Sequence, residues 1–318
     1  MKINQIKDIE VKKEGDNYSV IIDLNKCKYL YRYRAYNELT LGAFEKDQVW
    51  MSSPLKFNDP YDVSLAYSKK GIKDYIKKKV IDLSKITKFN ERQLFWFIYN
   101  QMDKMTEALI NKLRSTYHIA CFCTNIHDEI MWAHYADCGK GFALKYDIDD
   151  FYKQKLRDFK NIFPVVYTQN KANASIFIKS VVDKICYDLC KKHANSHEMS
   201  IIDIPKDDWA QISLQSLILK KKSWKYENEY RLVADNSNPE SFYRCYEGIK
   251  PIAIYLGESM PDSEKIKLIE LAAGKRIDVY VMKSNYSKNY LESLKLKIER
   301  EENREYQRVI SKELASKI

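Results

Sequence analysis

A chain of 318 residues, 45% of them hydrophobic, has room for one large or two smaller folded units with a sizeable core. Lysine plus arginine outnumber aspartate plus glutamate by 54 to 44, an excess of ten that favours approach to polyanions such as nucleic acid, nucleotides or acidic partners without demanding it. No apolar run nears the ~20 residues that span a bilayer, the first residues have no apolar signal stretch, and the seven cysteines are odd in number. We therefore expect no membrane span and a soluble, cytoplasmic protein with reduced thiols.

In chain order, Tyr18 to Ile22 is the best strand of residues 1–27. Leu30-Tyr31-Arg32-Tyr33-Arg34 alternates aromatic and basic side chains with strand periodicity. Asn37 to Leu41 starts a short helix near Tyr36. Val49-Trp50-Met51 is a strand that runs into Ser52-Ser53-Pro54 and Phe57-Asn58-Asp59-Pro60-Tyr61-Asp62. Two prolines around Asn-Asp mark a structured loop, because Pro fixes φ and Asn and Asp bond their own backbone. Residues 71–117 read as helical, His118 to Cys123 as a strand, and Ile130 to Ala136 as a helix ended by Gly139 and Gly141.

Phe142 to Tyr146 and Phe163 to Tyr167 are strands, and 171–198 and 206–222 are helices. Glu229 to Val233, Ile252 to Leu256 and Ile277 to Met282 are strands, with a helix over 261–274. From about Leu291 the chain reads as a long charged helix, able to pack on its own domain or on a partner. Strands and helices do not alternate regularly. That favours an α+β fold of central, mostly antiparallel strands with helical insertions near 71–117 and 171–222. The expected division is one domain over 1–285 and a charged C-terminal helix over 286–318.

Four constellations have chemistry to offer. Glu227 and Glu229, two apart on a strand, share a face with Lys225 and Arg231, while Trp224 and Tyr226 back them from the other side. The plainer alternative is a salt-laced edge strand. Ser52 and the Phe57 to Asp62 loop form an ordered polar loop after a strand, a usual place for site residues. His134 shares a helical face with Met131 and Tyr135 and is an acid/base candidate, or else a hydrogen-bonded core histidine. Cys186, Cys190, His193 and His197 line one helical face, but four ligands spread along ~16 Å of helix cannot surround one zinc. No metal is expected.

The four motifs in this order resemble the bacterial family catalogued as domain of unknown function 2971. The matching stretches are Leu30 to Arg34, Trp50 to Pro54 with Phe57 to Pro60, Cys121-Phe122 with Met131 to Ala136 and Gly141-Phe142, and Trp224 to Arg231. Cys123 departs from the serine usual after Cys-Phe. The resemblance brings no established activity; it implies that these polar motifs form one site.

A second resemblance is to ADP-ribosyltransferases, with Arg32 or Arg34 as the early basic residue, Phe122-Cys123-Thr124 as the middle motif and Glu227-Asn228-Glu229 as Glu-x-Glu. Asn125 replaces the last serine of the middle motif. This resemblance implies an ADP-ribosyltransferase-like fold and an NAD-consuming enzyme, a toxin or phage-defence effector acting on nucleic acid or protein. Glu229 would hold the ribose and stabilise the developing cation, and Glu227 would serve the acceptor. Arg32 or Arg34 would grip the pyrophosphate, and Tyr36 or Phe57 would stack on a ring. Tyr31, Ser52, Asn58, Asp59 and Arg231 complete the expected cofactor-binding set. Two alternatives stand beside it. One is a metal-dependent nuclease using Asp59, Asp62, Glu227, Glu229 and His134. The other is a non-catalytic nucleic-acid or partner-binding module that uses Tyr31-Arg32-Tyr33-Arg34 as a stacking and phosphate surface.

Overall fold

The computed structural model describes residues 9–14, 17–22, 27–153, 162–169, 172–192, 206–235 and 242–296. The first half contains β1 (Ile9–Glu14), β2 (Asn17–Ile22), β3 (Tyr29–Arg34), α1 (Glu38–Glu45), β4 (Gln48–Ser52), β5 (Leu65–Ala66), α2 (Lys69–Ile86), α3 (Glu91–Thr116), β6 (Tyr117–Cys123), α4 (Glu129–Tyr135) and β7 (Phe142–Asp147). The second contains α5 (Ile148–Lys153), β8 (Ile162–Pro164), β9 (Val166–Thr168), β10 (Ala172–Asn173), α6 (Ser175–Lys192), α7 (Lys206–Ile218), β11 (Leu219–Lys221), β12 (Glu229–Asp235), β13 (Tyr243–Glu247), β14 (Ala253–Leu256), α8 (Asp262–Lys275), β15 (Asp278–Asn285) and β16 (Tyr290–Lys295).

Ten strands form one sheet in the order β13-β4-β6-β3-β7-β14-β15-β16, with β12 attached to β6 and β8 to β12. Its pairings are antiparallel except β14 with β15, which α8 connects. The fold is therefore α+β with a mostly antiparallel sheet.

The sheet forks at β6. On one edge β12 pairs along the whole strand, from Glu229 opposite Cys123 to Asp235 opposite Tyr117. On the other edge β3 and β4 each hold β6 by one bridge, Tyr31 to Cys123 and Ser52 to Ile119. Past these single bridges β3 and β4 are not paired to β6, and Arg32 and Arg34 of β3 line a cavity there.

Three apolar clusters fix this frame. Leu30, Phe44, Phe142, Phe151, Leu256 and Leu268 join the sheet to α1, α5 and α8. α2, α3, α6 and α7 pack on Ile119, Phe163 and Val233. In α2 the buried residues are Ile72, Ile76, Val80 and Leu83, a stripe at helical spacing. Ser68 and Asn90 cap α2 and α3, which is why 71–117 is two helices rather than one. The third cluster sets Met131 and Trp132 of α4 against Tyr33, Ala143, Tyr255 and Met282. Among the described residues no helix is long and apolar enough to cross a membrane.

Three expectations need correction. Leu291 does not begin a helix: β16 pairs with β15 from Tyr290 opposite Asn285 to Lys295 opposite Tyr280, and Leu291 is buried in the third cluster. Pairing and burial outweigh the helix preference of the charged sequence, so residues 290–295 belong to the sheet rather than to a segment starting at 286. Residues 297–318 lie outside the described residues. The strand over Phe163 to Tyr167 is interrupted at Val165: β8 pairs with β12, whereas β9 pairs with β11. The helix over 206–222 ends at Ile218, and residues 219–221 form β11.

Candidate active site

Residues 222–227 form a 3-10 turn, not a strand. Asn228 takes a left-handed conformation (φ 41°, ψ 51°), and β12 starts only at Glu229. Asparagine tolerates this backbone better than most residues. The expected one-faced row of Lys225, Glu227, Glu229 and Arg231 is not formed, and Lys225 is exposed. The two glutamates still meet, because Lys220 of β11 reaches both. Its Nζ donates to Glu227 Oε2 and, at 2.9 Å, to Glu229 Oε2, and lies 3.6 Å from Asp62.

Behind them Arg231 is fully buried. Its Nε donates to Glu229 Oε1 at 2.7 Å, Nη2 to Asp62 Oδ2 at 2.6 Å and Nη1 to the Leu217 carbonyl at 2.9 Å. Arg231 is thus a tie within the protein, without the access to a ligand expected of it. Asp62, not Asp59, joins the cluster. Asp59 turns back to accept from the Tyr61 amide.

With all groups ionised, Asp62, Glu227 and Glu229 oppose Lys220 and Arg231, leaving one net negative charge. The two glutamates differ. Burial pushes Glu229 up, but Arg231 and Lys220 more than reverse this and hold it far below the usual carboxylate range. Burial raises Glu227, Lys220 pulls it back and Glu229 adds to the rise, so its proton affinity ends above the ordinary value. Glu227 is the group through which the cluster can pass between neutral and singly negative. Tyr135 donates to its Oε1 at 2.5 Å.

Across the fork stands a cationic wall. Arg32 is 8% exposed; it donates through Nη2 to the Trp50 carbonyl, lies 5.5 Å over the Phe122 ring, and its Nε has no hydrogen-bond partner. Burial, then the nearby charge of Arg34, push its pKa down to about 9. Arg34 is part-exposed as a residue, but its head lies deep enough for burial to lower its pKa as well. Neither guanidinium forms an ion pair among the described residues. Two uncompensated charges side by side cost stability unless an anion joins them. Gly141 fixes the end of this wall: a Cβ there would lie 2.1 Å from the Arg34 carbonyl oxygen.

Both walls line one cavity of about 340 Å³, together with Tyr31, Ser52, Lys56, Phe57, Asn58 and Tyr135. Side chains from both faces of β3 and β6 contribute because the cavity passes through the fork. Cys121 lies on its floor, exposed to the cavity; burial and then Glu229 raise its thiol well above the usual range, so it is held protonated.

Several expected residues fall elsewhere. His134 is exposed, outside the lining, with Nδ1 3.1 Å from the Tyr226 hydroxyl. Tyr36 packs on the first apolar cluster, and Tyr33, although its edge reaches the cavity lining, is mostly core, stacked edge-on against Trp132. Tyr31-Arg32-Tyr33-Arg34 is consequently not one exposed binding surface. Cys186 is buried in the helical cluster and Cys190 packs on it, while His193 and His197 lie outside the described residues. Among the described residues no group of three His, Cys, Asp or Glu side chains is placed to hold a metal. Lys220, Asp62 and Tyr135 were missing from the expected catalytic and cofactor-binding set. Tyr135 had a signal, its helical face shared with Met131; Lys220 had none.

Residues 131–232 match the family model described as "Protein of unknown function (DUF2971)". The resemblance read from the motifs therefore holds over that third of the chain, which includes Tyr135, Lys220, Glu227 and Glu229. No curated protein and no solved structure matches the chain.

Proposed function

We propose that this cavity binds a nucleotide-type substrate and that the protein is an NAD-consuming enzyme of the ADP-ribosyltransferase type. The observation that carries this reading is the charge segregation of one cavity, where Arg32, buried, and Arg34, part-exposed, have no carboxylate partner among the described residues and share the lining with two carboxylates fixed on a buried lysine. Such a cavity suits a molecule with phosphate at one end and an electron-poor, hydroxylated ring at the other. Its volume is near the lower end of the ~300–1,000 Å³ range of ligand pockets. That suits the reacting half of a dinucleotide, with the remainder at the mouth.

In this reading Arg32 and Arg34 take the pyrophosphate. The nicotinamide–ribose bond breaks, its electron pair leaves with nicotinamide, and positive charge develops on the ribose. Glu229 cannot swing to meet it, since Arg231 and Lys220 hold both its oxygens, so its charge acts from a fixed position. Glu227, hydrogen-bonded to Tyr135, takes the proton that the acceptor loses on attacking the ribose carbon. The nuclease alternative has less support, because Lys220 occupies the centre that a divalent ion would take among Asp62, Glu227 and Glu229. The test is free nicotinamide after incubation with NAD and candidate protein or nucleic-acid acceptors. Release that Glu227→Gln cuts at least about a hundredfold, within the usual range for general acid–base groups, supports the reading. No release with any acceptor counts against it.

A further inference from the structure

The chain's basic excess is not spread over its surface. Residues 69–116 and 175–192, which contain α2, α3 and α6, carry sixteen lysines and arginines against seven acids. That is an excess of nine out of the chain's ten, so the rest of the protein, including the sheet and its cavity, is close to neutral. Within the helical layer the asymmetry sharpens again. From Lys69 to Lys88 there are eight lysines and two aspartates.

The buried stripe of α2 turns Lys70 and Lys78 outward, while Lys69 and Lys73 flank it and remain exposed, Lys73 on the side of α3. Three of the eight lysines have carboxylate partners: Lys77 with Asp74 at 4.0 Å, Lys79 with Asp183 at 2.7 Å and Lys85 with Asp82 at 3.1 Å. Lys69, Lys70, Lys73, Lys78 and Lys88 form no ion pair among the described residues and are exposed. Lys69, Lys70, Lys73 and Lys78 span about 14 Å of α2 at 1.5 Å per residue, and Lys88 follows its end. Beside them on α3, Phe95, Trp96 and Tyr99 form a ring cluster with centroids 5.5 to 6.0 Å apart. Lys73 lies 5.1 Å over Tyr99, and Trp96 is half exposed.

We propose that the outer face of α2, with the Phe95–Trp96–Tyr99 cluster, is a docking surface for single-stranded nucleic acid. The lysines would track the backbone phosphates and Trp96 would stack on a base. An extended polyanion fits better than a lipid surface, because the unpaired Lys69, Lys70, Lys73 and Lys78 lie along the N-terminal part of α2 beside the Trp96 ring cluster, whereas the exposed apolar Ile86 and Phe89 lie at its C-terminal end. The proposal does not rest on the chemistry of the cavity, which lies in the neutral part of the molecule.

The test is fluorescence anisotropy of a labelled single-stranded RNA with the full chain. The triple variant Lys70→Glu/Lys73→Glu/Lys78→Glu, all at exposed positions, should weaken binding at least tenfold. It should also flatten the salt dependence by about two, the share of three phosphate contacts at ~0.7 each for single strands. Trp96→Ala should weaken the single strand at least fivefold and a duplex of the same sequence less. The triple variant, whose lysines lie outside the cavity lining, should bind NAD as the parent does, so failure here and failure of the NAD reading are separable. Absence of RNA binding, binding that survives the triple variant, or lysine-dependent binding of phosphatidylserine vesicles in place of RNA would overturn the proposal.

Discussion

Replacing Lys220 with methionine keeps the aliphatic stem and removes the ammonium at the centre of the acid cluster. The stem now ends among Asp62, Glu227 and Glu229 with Arg231 as the remaining cation, so the net charge goes from one negative to two. Removing one partner of a buried ion pair costs about 3 to 5 kcal/mol. The upper end applies here, because Lys220 serves three carboxylates and is itself buried. Part of the loss is relieved by protonating Glu227, and that gives the effect a pH signature. Glu227 already binds its proton more tightly in the folded than in the unfolded chain. Its contribution is thus fully present below the ordinary carboxylate pKa of about 4.3 and is lost as the pH rises through the raised value.

Without Lys220 the raised value moves further up, and the loss extends to higher pH. The stabilising effect of Lys220's own raised pKa changes only far above neutrality and is constant across this range. Urea unfolding followed by tryptophan fluorescence should show a loss near 5 kcal/mol at about pH 8 and a distinctly smaller one at about pH 5. A loss under about 1 kcal/mol, as for an exposed pair, or one independent of pH, would refute the view that this lysine holds the carboxylates together.

Glu227→Gln leaves the cluster neutral and removes its titrating member. It should flatten the decline in stability above the carboxylate range, and in a double-mutant cycle it should recover part of the Lys220→Met loss. Arg32→Met removes a buried charge that has no ion-pair partner among the described residues. Thermal melts should show the variant at least as stable as the parent, while the stabilisation by added inorganic pyrophosphate, about 2.7 kcal/mol at a hundred times Kd for the parent, disappears. Gly141→Ala forces a contact of 2.1 Å on the Arg34 carbonyl. It should lower the melting temperature by several degrees and weaken pyrophosphate binding together.

Local pattern made much of this legible. Alternation on β3 places Arg32 and Arg34 on one side, Asn37 caps α1 as its residue type suggests, and the Pro-bounded loop after β4 does enter the site through Asn58 and Asp62. The proximity of Glu227 and Glu229 was legible too, though for a different reason from strand alternation. What stayed hidden depends on distant pairing. Lys220 sits in a run of three lysines after a helix, which reads as a solvated end. Only the pairing of β11 with β9 turns it inward. Whether Asp59 or Asp62 faces Arg231 is settled by a turn that occupies Asp59 with its own backbone. The fork at β6 follows from β12 filling one edge while β3 and β4 share the other, a matter of contacts far apart in sequence. β16 is held by its pairing with β15 and the burial of Leu291, which no local charge pattern reveals.

The most direct test of the proposed function is calorimetric titration of NAD into the protein and into Arg32→Met and Arg34→Gln variants. Saturable binding is expected at one site in the parent, lost or weakened at least tenfold in both variants, while thermal melts show them folded. Absence of binding to the parent, or binding that both variants retain, would contradict it.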